Sequence, residues 1–350
     1  MHPLLVRLGH IPADMSFDDV IEADFGRDYE TDPVPPEVTA IIEQVTGERV
    51  ALGAYLPAWE ASLHQIAPKT RDMYISDTKH LLGVIGFDMN VVDVDAISQA
   101  VQGWIEAQIR DGLAAKTITR KLGAARSYWS WLVAHGHVAR KYESPFKGLT
   151  IPRPKRKDPA TIRQPFTPEQ VMQLHRTAQD NGLPALSDLI LLAAYTGGRI
   201  EELGSLEVSA VDLEADTVLL SSKTDAGHRV VPIMPQIRPV LSRLVARAQA
   251  GRFLFHVSGQ NKYGIRSAAL SKQFGRLKDR LGYDDRFVFH SIRKTVATLF
   301  ETAQCPEGIA ADILGHEKPT MTYGLYSGGS SLAVRREWLA KALVYPESGP

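Results

Sequence analysis

A proline-rich basic stretch near the middle of the chain limits how the chain can fold. Residues 151–159, IPRPKRKDP, contain three prolines and four arginine or lysine residues. Proline keeps the backbone extended and cannot donate a backbone hydrogen bond, while clustered like charges stay in solvent or on phosphate groups. We therefore expect a basic linker at 146–166 between two separately folded domains. A solvated connector that contacts no phosphate is the alternative.

The region before the linker, 51–145, has the apolar spacing of helices. The candidate helices are 52–66, 70–85, 95–110 and 116–135, with Gly86, Gly112 and Gly136 near three of their ends. Apolar residues recur along one face of the last helix and include Tyr128 and Trp129. These rings and Trp131 could stack on bases, but a core position in a small helical bundle is favoured.

The region after the linker, 167–330, predicts a domain that is mainly α with a small β-sheet. TPEQ at 167–170 is typical of a helix start. The turn KTDAG separates the alternating segments 218–222 and 228–233, which indicates a β-hairpin. Further helices are predicted near 184–196, 200–206, 236–249, 267–281, 291–304 and 306–314.

Residues 331–350 form a C-terminal tail with an amphipathic helix at 331–343. Its apolar anchors would be Trp338, Leu339 and Leu343. The sequence SGGSS before this helix would supply a flexible hinge. We therefore favour docking of the helix on a neighbouring subunit over docking on its own chain.

Charge is distributed unevenly along the chain, although 40 Lys/Arg balance 40 Asp/Glu. Residues 1–50 hold 3 basic and 11 acidic residues, whereas 110–163 hold 13 basic and 3 acidic ones. Because a basic surface attracts phosphate, the middle of the chain predicts DNA binding. The acidic segment predicts a poorly ordered or small appended element that shields the basic region. The DNA-binding candidates are Lys116, Arg120, Lys121 and Arg126 in the helical region and Arg153, Lys155, Arg156 and Lys157 in the linker.

Composition excludes several other classes of protein. A single cysteine, Cys305, excludes a disulfide framework and a multi-cysteine zinc site, and it fits a reducing compartment. No apolar run approaches the roughly 20 residues that span a bilayer, and the N-terminus lacks a secretory signal. We expect a cytoplasmic protein that does not enter a membrane.

Two segments of the second domain place basic residues at turns. In TGGRIEELGSL, a Gly-Gly turn delivers Arg199 to the start of a new helix, where anions are favoured. Surface pairing with Glu201 or Glu202 is the alternative interpretation. Lys223 lies at the tip of the predicted hairpin, where its ammonium group could donate a proton to a leaving oxygen. An ordinary solvated turn lysine is the alternative.

Two later motifs add histidines and tyrosines. In HSIRKTVAT, His290 and Arg293 are three residues apart and share one face of a helix, which suits an anion. In ILGHEKPTMTYGLYSGG, a glycine ends a helix just before His316, and Tyr323 and Tyr326 follow. Helix-capping and core roles are the alternatives for these residues. The HEK sequence is not a zinc motif, because no second histidine follows four residues on.

The motifs together predict one chemistry. They supply two arginines, a lysine, two histidines and a tyrosine, without a carboxylate cluster that could hold a metal. Phosphoryl transfer requires neutralised phosphate oxygens, a nucleophile and an acid for the leaving group. A tyrosine hydroxyl titrates near pH 10, so it needs neighbouring cations to become nucleophilic near pH 7. We therefore expect phosphoryl transfer that uses no metal or other cofactor.

In this order and spacing the motifs resemble the tyrosine recombinase (phage integrase) family. The resemblance runs from about Thr167 to Tyr326 and covers six roles over about 130 residues. It implies an α/β catalytic domain at 167–330. By architecture alone, the helical region 51–145 resembles the core-binding domain of that family.

The resemblance implies a mechanism. Tyr326 would attack the scissile phosphate of double-stranded DNA and form a 3′-phosphotyrosyl enzyme, while Lys223 protonates the departing 5′-hydroxyl. Glu202 would support Arg199. The phosphate would be held by Arg199, Arg293, His290 and His316, with His290 also a candidate base. A 5′-hydroxyl of a partner strand would then rejoin the DNA without ATP or metal.

One spacing departs from the family pattern. In many members the tyrosine follows the Leu-Gly-His histidine by nine residues, and that position is Leu325 here. Tyr326 follows His316 by ten residues and Tyr323 follows it by seven. The Gly-Leu-Tyr-Ser-Gly-Gly context favours a one-residue insertion that leaves Tyr326 as the nucleophile.

The implied function is site-specific strand exchange by a homotetramer on DNA, for integration or excision of a mobile element. The same catalytic residues would serve a resolvase of replicon dimers, a telomere resolvase or a nicking-closing topoisomerase. A non-catalytic DNA-binding protein that keeps the fold is a further alternative.

Overall fold

The computed structural model describes residues 50–152, 162–221, 227–248, 252–256, 261–318 and 328–346. The described residues form two compact units, one before and one after the gap at 153–161. Among these residues, no helix is both long enough and apolar enough to cross a membrane.

The first unit is built from helices close to the predicted positions. They are α1 (Leu56–Ser62), α2 (Pro68–Ile85), α3 (Val94–Arg110) and α4 (Ala115–Ala134). Helix α1 is shorter than the predicted 52–66, because its last turn tightens into a 3-10 turn at Leu63–Gln65. Gly86 ends α2 with a φ of 113°, a conformation that L residues with side chains rarely adopt.

Aromatic residues of α4 lie in the core of the first unit. Tyr128 and Trp129 are 1% and 3% exposed, so the predicted core position is confirmed for both. The Tyr128 hydroxyl donates a hydrogen bond to the carbonyl of Leu52 at 2.8 Å. Burial raises the pKa of this hydroxyl far above its usual range, which keeps it a neutral donor. Trp131 is partly buried against the same core.

The second unit is mainly helical, as predicted. Its helices are α5 (Pro168–Asp180), α6 (Pro184–Thr196), α7 (Ile200–Gly204), α8 (Arg238–Ala248), α9 (Ala268–Arg280), α10 (His290–Thr302), α11 (Glu307–Leu314) and α12 (Leu332–Ala342). The helix start predicted at TPEQ is present and takes the form of a capping box. Thr167 Oγ1 accepts the Gln170 N–H at 3.3 Å, and Gln170 Oε1 accepts the Thr167 N–H at 2.9 Å.

A small antiparallel sheet accompanies these helices, in the order β1 (Val211–Asp212), β2 (Thr217–Leu220) and β3 (Arg229–Pro232). Strands β2 and β3 pair with Leu220 opposite Arg229, so the predicted hairpin strands are confirmed. The predicted tip of the hairpin at Lys223 lies outside the described residues.

In the single chain, the C-terminal helix α12 packs on its own domain, and docking of the helix on a neighbouring subunit stays a prediction. The predicted anchors Leu339 and Leu343 are buried in the core of the second unit, and Trp338 packs against it. Arg335 Nη1 also donates to the carbonyl of Val230 in β3 at 2.8 Å. The helix thus packs on the core of its own domain, and Arg335 adds a polar contact to β3.

We expect Leu339→Ala to lower the free energy of unfolding by about 2–5 kcal/mol, because the side chain is fully buried and would leave a cavity. Urea denaturation of the intact chain measures this loss. Val344→Ala is the matched control, since Val344 is 69% exposed and its truncation should leave the midpoint nearly unchanged. Equal effects of the two variants would contradict packing of α12 in cis.

Candidate active site

The Thr-Gly-Gly-Arg turn between α6 and α7 fixes the backbone that leads to Arg199. Thr196 is buried, and its hydroxyl donates to the Leu192 carbonyl at 2.6 Å and accepts the Gly198 N–H at 3.1 Å. Gly197 ends α6 with a φ of 62°. A Cβ at Gly197 would overlap the side chain of Leu314 at the end of α11. Glycine is therefore required here both by the left-handed backbone and by the close approach of α11.

Arg199 itself is held by two contacts on different elements. Its Nη1 donates to Glu202 Oε1 at 2.5 Å, and its Nη2 donates to the carbonyl of Gly315 at 3.3 Å. Its side chain remains 38% exposed. The predicted pairing with Glu202 is present, and it leaves part of the guanidinium open to a ligand.

A second arginine, Arg229 in β3, completes the Glu202 site and was missed by the sequence prediction. Arg229 Nη2 donates to Glu202 Oε2 at 2.9 Å, and its Nε donates to the carbonyl of Ile313 at 2.6 Å. Both side chains of this ion pair are 3% exposed. The signal in the sequence was a charged residue two positions before the apolar Val231, and therefore on the same, buried face of β3.

The Glu202 carboxylate is ionised in spite of its burial. Burial alone would raise its pKa, but the hydrogen bond and charge of Arg229, together with the contacts of Arg199, lower the pKa below its usual value. Burial lowers the pKa of Arg229, and the Glu202 partner opposes this. The buried pair therefore acts as a fixed support for Arg199.

Helix α10 supplies Arg293 and His290 from its first turn. Arg293 is 4% exposed, and its Nη1 donates to the carbonyl of Gly197 at 2.8 Å. Its Nη2 is buried and finds no acceptor among the described residues. Burial and the charges of Arg199 and Arg229 lower the pKa of Arg293 to about 9, so the group stays charged at pH 7. A buried guanidinium donor of this kind can bind an anion.

His316 follows the left-handed Gly315 that ends α11. The N–H groups of Gly315 and His316 both donate to the Ala311 carbonyl, at 2.7 Å and 3.0 Å. This cap turns the chain so that the Gly315 carbonyl meets Arg199. Partial burial lowers the pKa of His290 and of His316, and the charges of Arg293 and Arg199 add to the effect. Both imidazoles are therefore neutral near pH 7.

The described part of the site has an excess of positive charge. Three guanidinium groups, those of Arg199, Arg229 and Arg293, are grouped around one carboxylate, that of Glu202. Each of them lowers the pKa of a neighbouring basic group. Such an arrangement is stabilised when a phosphate or another anion enters it.

Several predicted residues lie outside the described residues. They are Lys223, Tyr323, Tyr326, Arg153, Lys155, Arg156 and Lys157. Their roles therefore stay predictions. The described site contains five residues that the sequence predicted and one that it did not. The predicted ones are Arg199, Glu202, His290, Arg293 and His316, and the additional one is Arg229.

The predicted DNA-binding residues of the first unit have different surroundings. Arg120 forms an ion pair with Asp77, and Arg126 donates twice to the carbonyl of Phe146, at 3.1 Å and 2.9 Å. Lys121 lies 6.0 Å from the ring centre of Trp104, and Lys116 is exposed. Arg126 thus stabilises the fold of the first unit through the Phe146 carbonyl, whereas the exposed Lys116 can contact a phosphate.

Comparison with known proteins identifies the second unit. Residues 164–329 match the model of the phage integrase family, and this range contains all six predicted catalytic residues. The second unit belongs to the tyrosine recombinase (phage integrase) family. It is an enzyme of DNA strand breakage and rejoining, as its motifs predicted.

Curated relatives of this recombinase carry the same family name. The chain is 28% identical over 256 residues to tyrosine recombinase XerC of Xylella fastidiosa (strain 9a5c), covering 72% of this chain and 84% of the relative. It is 27% identical over 255 residues to XerC of Xanthomonas campestris pv. campestris (strain B100), covering 72% and 76%.

Solved structures show the same fold. A lambda integrase dimer bound to a COC′ core site superposes with a TM-score of 0.63 and 18% identity, covering 87% of this chain and 85% of that one. The Tn1549 transposon integrase in complex with transposon right end DNA gives a TM-score of 0.57 and 17% identity, covering 84% and 100%. The predicted mainly α fold with a small sheet is thereby confirmed.

For this recombinase we expect Glu202→Ala to lower the free energy of unfolding by about 3–5 kcal/mol, because it leaves Arg229 buried without its counter-ion. Urea denaturation followed by circular dichroism measures the loss. The matched control is Glu207→Ala, which removes an ion pair to Arg252 on the surface and should hardly move the midpoint. A Glu202→Ala protein as stable as this control would contradict the supporting role.

Proposed function

We propose that this recombinase exchanges DNA strands at specific sites through a covalent 3′-phosphotyrosyl intermediate, with Tyr326 as the nucleophile. The observation that carries the proposal is the buried Arg293 Nη2, which lacks an acceptor within the described residues. It belongs to a site where positive charge exceeds negative charge. A phosphodiester would accept the hydrogen bond of Arg293 Nη2, and its negative charge would balance the excess positive charge of the site.

In the proposed site the two arginines hold the non-bridging oxygens of the scissile phosphate. Arg293 approaches from α10 with its Nη2, which has no acceptor among the described residues, and Arg199 approaches from the start of α7 with the exposed part of its guanidinium. More negative charge develops on these oxygens in the transition state, so both contacts strengthen as the reaction proceeds. Glu202 and Arg229 keep Arg199 in place and do not react.

The neutral histidines take the roles of base and hydrogen-bond donor. At neutral pH the lowered pKa of His290 leaves a ring nitrogen free to accept the proton of the tyrosine hydroxyl. His316 lies beside the carbonyl that contacts Arg199, where its ring can donate to a phosphate oxygen. A bound phosphate would raise the pKa of both rings, because it favours their charged form.

The chemical steps balance without an external energy source. The Tyr326 oxygen forms a bond to phosphorus as the bond to the 5′ oxygen breaks, and Lys223 gives its proton to that oxygen. In the second step a 5′-hydroxyl of the partner strand attacks the same phosphorus and gives its proton back to Lys223, while the tyrosine oxygen leaves and takes its proton back from His290. One phosphoester bond is made for each one broken, so neither ATP nor a metal is consumed.

We propose double-stranded DNA as the partner and a homotetramer as the working assembly. Lambda integrase has been seen as a dimer on a core site and as a tetramer on a Holliday junction. The integrase of a transposon has a related fold, which favours integration or excision of a mobile element. Resolution of replicon dimers is the second candidate, because the curated relatives are named XerC.

The test uses a pool of nicked duplexes with a randomised core, incubated with the intact chain in the presence of EDTA. The nick lets the cleaved end diffuse away, so a covalent complex accumulates and survives denaturation. Sequencing the trapped DNA then identifies the site. If the protein binds duplexes but never becomes covalently attached, it is a non-catalytic DNA-binding protein and the proposal is wrong.

The product topology separates the two candidate functions. On a supercoiled plasmid with two copies of the trapped site, a mobile-element recombinase would excise or invert the segment between the sites. A dimer resolvase would resolve a plasmid dimer into monomers. A nicking-closing topoisomerase would only relax the plasmid. Recovery of relaxed parental plasmid without recombinants would therefore exclude strand exchange.

A further inference from the structure

The carboxylate of Asp312 contacts two residues that lie on either side of the segment 319–327. Its Oδ1 accepts the ammonium of Lys318 at 2.6 Å. Its Oδ2 accepts the N–H of Ser330 at 2.7 Å and the Ser330 hydroxyl at 2.9 Å. Lys318 directly precedes the segment and Ser330 follows it by three residues, so one carboxylate fastens both of its flanks.

We propose that Asp312 is a positioning residue for the nucleophile, because it ties together the two flanks of the segment that carries Tyr326. This inference rests on the proposed function, in which Tyr326 attacks DNA. Asp312 itself touches neither the phosphate-binding residues nor, in the proposal, the DNA. It acts through Lys318 and Ser330.

The surroundings of Asp312 support a fixed anchor. Gly329 has a φ of 85°, and a Cβ there would lie 2.8 Å from Arg335 Nη2 and 3.2 Å from Asp312 Oδ1. Arg335 Nε donates to the Ser330 hydroxyl at 3.2 Å, and Arg335 Nη1 donates to the Val230 carbonyl. The chain after the segment is therefore held against both α11 and β3.

The same turn of α11 also supports the phosphate-binding residues. The carbonyl of Ile313, the residue after Asp312, accepts the Nε of Arg229 at 2.6 Å. Arg229 in turn holds Glu202, which holds Arg199. Two adjacent residues of one helix thus fix the flanks of the tyrosine segment and the support of Arg199. The relative position of these two residues therefore determines where a nucleophile on the segment meets the phosphate.

The size of the expected effect follows from chain statistics. An unconstrained chain of twelve residues, the separation of Lys318 and Ser330, has an end-to-end distance of roughly 20 Å. The Asp312 carboxylate instead holds both residues, through contacts of 2.6 Å to the Lys318 ammonium and 2.7 Å to the Ser330 N–H. A displacement of about 1 Å at a reacting atom can slow a reaction by about 10²-fold.

The Asp312 carboxylate is ionised at neutral pH. Burial would raise its pKa, but the hydrogen bond of Lys318 and the two of Ser330 outweigh burial and lower the pKa. The anchor is therefore charged at neutral pH and is lost only when acid protonates it. Both side chains of the ion pair are 13% exposed, which limits screening by salt.

The test compares Asp312→Ala and Asp312→Asn with the wild-type recombinase on the trapped suicide substrate. At saturating DNA we expect the rate of covalent attachment to fall between about 10- and 100-fold, while the Kd for DNA is unchanged. Asp312→Glu keeps both acceptors and should restore part of the rate. Lys318→Met and Ser330→Ala should each reproduce part of the loss.

Asp188→Asn is the matched control. It breaks a similar ion pair, Asp188 with Arg243 at 2.6 Å, far along the chain from the segment. It should lower stability without slowing attachment by the folded protein. Attachment at the wild-type rate by folded Asp312→Ala or Asp312→Asn, or equal slowing by Asp188→Asn, would overturn the inference.

A second readout does not depend on activity. Hydrogen exchange of the Ser330 amide, which donates to Asp312, should be about tenfold faster in Asp312→Ala than in wild type. An unchanged exchange rate of the Ser330 amide would contradict the positioning role of Asp312, even if no covalent DNA complex formed. Failure of the wild-type protein to attach to DNA would instead refute the proposed function, so the two failures are distinguishable.

Discussion

Replacing Tyr326 with phenylalanine should abolish covalent attachment to DNA and leave DNA binding intact. The substitution removes only the hydroxyl and keeps the aromatic ring. Without its nucleophile the enzyme should lose attachment by at least about 10³-fold, since the arginines can bind the phosphate but cannot form the covalent bond. Denaturing electrophoresis of the trapped complex measures attachment, and a gel shift under native conditions measures binding.

Tyr323→Phe is the matched control for this experiment. It makes the same chemical change three residues earlier in the same segment. We expect it to attach to DNA within a few-fold of the wild-type rate. If Tyr326→Phe still attaches and Tyr323→Phe does not, Tyr323 is the nucleophile, and peptide mapping of the adduct identifies the modified residue directly.

Arg293→Lys should slow covalent attachment by about 10²- to 10³-fold at saturating DNA, the usual effect of removing one donor to a developing anion. Lysine keeps the positive charge but has a single ammonium group. It cannot replace both the Nη1 contact to the Gly197 carbonyl and the buried Nη2, which has no acceptor among the residues that the structure describes. The Kd for DNA should change little, because many other phosphate contacts contribute to binding.

The control for this prediction is Arg243→Lys. Arg243 also forms a short ion pair, with Asp188, but lies outside the candidate site. The same substitution there should leave the attachment rate near that of wild type. If Arg293→Lys attached as fast as Arg243→Lys, the unpartnered Nη2 would have no part in the reaction, and the site would need a different interpretation.

The helices and the motif residues could be predicted because their signals are local. The stop at Gly86, the capping box at Thr167 and the turn before Arg199 each depend on a few adjacent residues. The pairing of Arg199 with Glu202 is equally local, since the two are three residues apart. The hairpin strands also followed from alternation within a short stretch.

The docking of α12 could not be predicted in this way. The sequence shows an amphipathic helix with apolar anchors, but any surface of matching shape could bury those anchors. The structure pairs them with the core of their own domain, where Tyr345 also donates to the carbonyl of Ala194 at 3.0 Å. The choice between cis and trans depends on the shape of a cavity, which composition and periodicity do not encode.

The sequence by itself determined which chemical groups the recombinase has and in which order they occur along the chain. It predicted the phosphate-binding arginines, the histidines and the tyrosines from motifs of a few residues. Only the tertiary structure decided how these groups are held. The contact of Arg199 with Gly315 joins residues 116 apart, and that of Arg229 with Ile313 joins residues 84 apart. Local patterns carry no information on such pairs, because they form only when distant helices and strands pack together.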